Sequence, residues 1–158
     1  MHTRKLRTLA ITAGLAIVAL LGIQGTASAD SVSDSKLLTM GSSQFFSFGA
    51  FGSPWKVGDC HLEPDSWVAI EGNVVHLHAT SDTDFTKGAD IWHSRFVFND
   101  ANQRTVLSVT SSAFDSPRMV PSDGRSSGAS DIYVWDRFVR VTSGIPGGIF
   151  SVRWFSSC

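Results

Sequence analysis

Three histidines carry the chemistry most readily read from this chain. His76 and His78 stand two positions apart. In an extended strand such residues face the same way, close enough to share a metal ion. His93 falls on the following strand as a third imidazole, and three imidazoles with one open position would resemble a catalytic zinc centre. The same alternation, however, turns Val75 and Leu77 to the opposite side, as a half-buried antiparallel sheet with one wet face requires. The three histidines are therefore read as solvent-face residues, with no metal and no cofactor assigned.

The run Asp82-x-Asp84-x-Thr86-x-Gly88-x-Asp90 sets hard oxygen donors at alternating positions, the kind calcium takes. Its glycine comes one place late for a helix–loop–helix calcium site, and His93 stands where a bidentate glutamate belongs. A solvated acidic turn is the expectation. Trp55, Trp67, Trp92, Trp135, Trp154 and Tyr133 could stack on sugars or enclose an apolar ligand. In a chain of this length most of them must instead build the core. The motifs G-x-S-x-G, H-E-x-x-H and the P-loop are absent. Glu63 and Glu71 are the only glutamates, and both fall near turns, so no catalytic residue is assigned.

Cys60 and Cys158 are the two cysteines. In an exported protein an even count reads as a disulfide. This one would close a loop of about 100 residues, worth roughly 4.7 kcal/mol in the chain-entropy model.

Export is itself an expectation from the first residues. Arg4, Lys5 and Arg7 precede an apolar stretch from Leu9 to Ile23, and Ala27-Ser28-Ala29 follows as a small-residue cleavage site. The apolar stretch falls short of the ~20 residues that span a bilayer. Residues 1–29 are thus expected as a signal peptide, with Asp30 as the first mature residue. Removing those three cations from a chain of 13 Lys+Arg and 14 Asp+Glu leaves a mildly acidic domain. Nothing in it has the basic footprint of a nucleic-acid or anionic-membrane partner. A secreted, extracellular monomer is expected.

The elements that must position these residues read as strands. Residues 30–43 look like a flexible lead-in, and 44–158 a single β domain. Phe45–Phe51 would place Phe46 and Phe48 on one face, with Phe45 and Phe51 on the other. Trp67–Ile70 and Val74–Thr80 flank a Gly72-Asn73 turn as a hairpin. Ile91–Asn99 turns Trp92, Ser94, Phe96 and Phe98 to one side and His93, Arg95 and Val97 to the other. Arg104–Ser111 returns as a second hairpin. The polar stretch Asp115–Asp131 exceeds the usual loop length and reads as a lid or a disordered segment. Ile132–Thr142 presents Tyr133, Trp135, Val139 and Val141 on one face, interrupted by Arg137. Ile149–Phe155 would turn Phe150, Val152 and Trp154 inward, against Ser151 and Arg153. No mature stretch has a helical period. The class is all-β, an antiparallel meander of about seven or eight strands, with a small closed barrel favoured over a β-sandwich.

Trp55-x-x-Gly58-Asp59-Cys60, Trp67, Gly72, Asp90-x-Trp92, Trp135 and Cys158 together resemble a group of small exported bacterial proteins classed as a domain of unknown function. The resemblance runs from about Trp55 to Cys158. It implies one exported domain with one Cys–Cys bridge, and brings no catalytic residue. The expected function is a secreted ligand-binding or interaction module whose partner is a small molecule, a glycan or an extracellular protein. The alternatives are a small secreted hydrolase or metal-dependent enzyme, and an extracellular structural or envelope-associated protein.

Overall fold

The computed structural model describes residues 33–39, 44–84, 88–110, 112–123 and 128–158. The expected signal peptide over 1–29 lies outside them. The described chain is all-β. Its strands are β1 (Ser33–Thr39), β2 (Phe45–Ser47), β3 (Trp55–Val57), β4 (Cys60–Leu62), β5 (Trp67–Glu71), β6 (Val74–Thr83), β7 (His93–Asn99), β8 (Thr105–Thr110), β9 (Tyr133–Arg140) and β10 (Ser151–Ser157). Every pairing is antiparallel.

The strands form two sheets, one of them a strongly curled half-barrel. The four-stranded sheet has the order β1-β10-β7-β8. In the six-stranded sheet β6 is the spine. β5 pairs with its residues Val74 to His78, and β4 with Ser81 to Thr83. β9 pairs along Val74 to Ser81, and so takes the opposite edge. β2 and β3 extend the sheet outward from β5 and β4. The hairpins β5–β6 and β7–β8 form as their turn residues require. Gly72 adopts a left-handed φ of 61° in the first. In the second, the Asp100 carboxylate accepts from the backbone N–H groups of Asn102 and Arg104.

Between the sheets lies an aromatic core. Phe46, Phe48, Trp92, Phe96, Phe98, Phe114 and Trp154 are fully buried, and Trp55 and Trp135 nearly so. Trp55 packs edge-on against Trp92 at 5.4 Å and against Trp154 at 6.1 Å. Buried indoles as a rule find acceptors, and among the described tryptophans the Nε1 of Trp92 is the exception. Trp154 Nε1 donates to Ser94 Oγ and Trp135 Nε1 to Ser81 Oγ, both at 3.0 Å.

Four expectations are corrected. The lead-in over 30–43 contains β1, which pairs along its whole length with β10. It is held because Leu38 enters the core and Asp34 accepts from Trp55 Nε1 at 2.8 Å. The strand begun at Phe45 lasts three residues. Ser47 then caps a 3₁₀ turn over Phe48–Phe51, although the expected faces hold, with Phe46 and Phe48 inside. Phe150 is exposed and Ile149 takes the interior position, while Ser151 is buried. The chain turns at Gly147-Gly148 and β10 begins only at Ser151, so its alternation does not run back to Phe150. The stretch after Asp115 is ordered where it is described. Asp90 and Met119 exchange backbone hydrogen bonds of 2.9 and 3.0 Å, and Met119 is fully buried as an apolar anchor.

Candidate functional site

A cleft of about 830 Å³ opens on the outer face of the four-stranded sheet. Strand register explains its lining. Phe96, Phe98, Val152 and Trp154 point into the core, so the residues between them point out. Across the sheet, Ser35 pairs with Phe155, Phe155 with Arg95, and Arg95 with Thr110. One pleat further along, Ser33 pairs with Ser157 and Ser157 with His93. The 3₁₀ turn Ser112–Phe114 and the residue after it close that end.

The floor is aromatic, and its rim is built of hydroxyls and charges. The Arg95 guanidinium lies 4.1 Å from the centroid of the Phe155 ring, a cation–π contact between cross-strand partners. His93 Nδ1 sits 2.9 Å from Asp115 Oδ1. That contact engages Nδ1 and leaves Nε2 as the other ring nitrogen. Asp34 closes the β1 side. Its carboxyl lies below the usual aspartate range because the Trp55 indole N–H donates to it, assisted by the backbone N–H of Ser35.

The structure separates the three expected histidines. His93 belongs to this cleft, whereas His76 and His78 lie on the outer face of the other sheet. There they meet Asp136 of β9. His76 Nε2 and His78 Nδ1 approach the same Asp136 oxygen at 2.8 and 3.1 Å, and His76 Nδ1 meets Glu71 at 3.1 Å. Hydrogen bonding to His76 holds the Asp136 carboxyl low, and His78 adds to it. Among the described residues no group of three His, Cys, Asp or Glu is arranged to hold a metal. Trp67 stacks on His78 at 5.3 Å, and Phe138 on His76 at 4.0 Å.

The acidic run is likewise divided. Asp84 pairs with Lys56 at 2.9 Å and with His61 at 3.2 Å, Asp82 faces His61 at 3.4 Å, and Asp90 accepts from Thr83 Oγ1. The expected donor Thr86 lies outside the described residues. Glu63 directly follows β4 and Glu71 ends β5, and the two form no carboxylate pair. Glu63 is pushed up by burial and by nearby Asp82. Of the five tryptophans only Trp67 is partly exposed; the rest are core. Cys60 and Cys158 are bonded, with Cα atoms 6.0 Å apart. Among the described residues no helix is long and apolar enough to cross a membrane.

Sequence reasoning missed Asp115, Asp136, Phe155 and Arg95 as site residues. Alternation alone does set His93 and Arg95 on one face, and that was the available signal for the cleft. No family model, curated protein or solved structure matches this chain.

Proposed function

We propose that this chain is an exported binding module whose ligand is a hydroxyl-rich small molecule or a single sugar residue of a glycan. The observation that carries this reading is the aromatic floor of Phe155 ringed by hydroxyls and by the His93–Asp115 pair. A pyranose presents an apolar C–H face and an equatorial belt of hydroxyls, and such a site offers a partner to each. The cleft volume falls in the range usual for small-ligand sites, about 300–1,000 Å³. Export rests on the leader-like first residues, the disulfide, and the resemblance running from Trp55 to Cys158.

The test is a titration of the oxidised protein with mono- and oligosaccharides, followed by thermal melting and by NMR shifts at cleft residues. Saturating sugar at about 100 times its Kd should add roughly 2.7 kcal/mol of stability. Phe155→Ala should abolish the effect. Binding that survives Phe155→Ala would place the ligand elsewhere.

One observation favours a second reading, a hydrolase. Ser157 stands directly across from His93, whose Nδ1 lies 2.9 Å from Asp115, so the three residue types of a nucleophilic triad occupy one corner of the cleft. Turnover of activated esters that disappears in both Ser157→Ala and His93→Ala would support it. Absence of turnover would leave binding alone.

A further inference from the structure

The charge inside the cleft is unequally matched. Among its described lining residues the titratable side chains are Asp34, His93, Arg95 and Asp115. Asp34 is committed to Trp55 Nε1 and to the backbone N–H of Ser35, at 2.8 and 2.7 Å. Asp115 is committed to His93. Arg95 has no carboxylate partner among the described residues and meets the Phe155 ring.

That contact decides what Arg95 can still do. The guanidinium carbon lies 4.1 Å from the ring centroid, and its N–H donors meet no carboxylate among the described residues. The contact also limits the rotamers of the long side chain, so less freedom is lost when the fork closes on a planar anion. His93 lies two residues away on the same face of β7, roughly 7 Å along the strand. A single pyranose ring bridges such a separation.

Building on the binding reading above, we propose that the cleft selects a sugar acid. Its carboxylate is taken in bidentate fashion by Arg95, which sits over Phe155, and its ring hydroxyls reach the His93 end of the cleft. The ligand class is the uronic acids and glycans that contain them.

The experiment compares glucuronate and galacturonate oligosaccharides with their methyl esters and with the matching neutral sugars, by calorimetric titration of the oxidised protein. The ester keeps the ring and removes the charge. The uronate should bind at least tenfold more tightly than its ester, and added salt should narrow the gap. Arg95→Gln should bring the uronate down to the affinity of its ester. Arg95→Lys, which keeps the charge but loses the fork, should recover only part of the difference. Arg95 lies on the sheet exterior, and a thermal melt of each variant checks that it is folded. Equal binding of uronate, ester and neutral sugar would overturn the sugar-acid inference and leave the binding reading standing. No binding of any of them to the folded protein would overturn both.

Discussion

Asp34 joins the edge of the smaller sheet to the core through a single hydrogen bond to Trp55, whose side chain is almost fully buried. Asp34→Ala would leave a buried indole N–H without an acceptor, a loss of about 1–3 kcal/mol that a denaturant melt would read. The pH dependence has a definite sign. Because the folded carboxyl titrates below its unfolded value, its contribution is complete above about pH 4 and is lost as the pH falls through the folded value. Asp136, held low by His76 and then His78, behaves the same way. Acidification below about pH 4 should therefore destabilise the wild type more than an Asp34→Ala/Asp136→Ala variant, in melts taken between pH 3 and 6. At this scale the sequence was only half legible. Alternation pairs His76 with His78, but their acceptor is 58 residues beyond His78, on a strand whose register no local pattern records.

Strands and turns were more legible where neighbours in sequence are neighbours in space. The hairpins β5–β6 and β7–β8 announce themselves through Gly72-Asn73 and Asp100-Ala101-Asn102, and the inward faces of β6 and β7 follow by parity. β1 was hidden because its segment, Ser33–Thr39, carries mostly polar and charged residues and has no hairpin partner nearby; what orders it is β10, at the other end of the chain. A chain lacking residues 30–39 should melt at a lower temperature and lose the Ser33–Ser35 wall of the cleft, and with it ligand binding. β9 raises a different issue. Among the described strands it pairs only with β6, and it exposes Val134 and Phe138 at 64% and 59%. Exposed apolar edges invite pairing between molecules. Val134→Lys should reduce concentration-dependent association in sedimentation experiments while changing stability by no more than about 0.5 kcal/mol.

For the molecule as a whole, the disulfide joins the two sheets, since Cys60 lies in β4 and Cys158 directly follows β10. Replacing both cysteines with serine should reduce stability by up to about 4.7 kcal/mol, measured against the oxidised wild type. The all-β class and the cysteine pairing were both readable, the first from strand-like alternation and the second from a count of two cysteines. The division into two sheets was not, because it depends on long-range pairings that involve β1, β9 and β10. The position of β10 has a consequence for how the chain is made. It lies between β1 and β7, so the two earlier strands have nothing to join them until residues 151–157 have been synthesised. The smaller sheet, its cleft and the partner of Cys60 all wait for that same segment. A nascent chain arrested before Ser151 should therefore leave β1 and β7 unjoined and open to proteases.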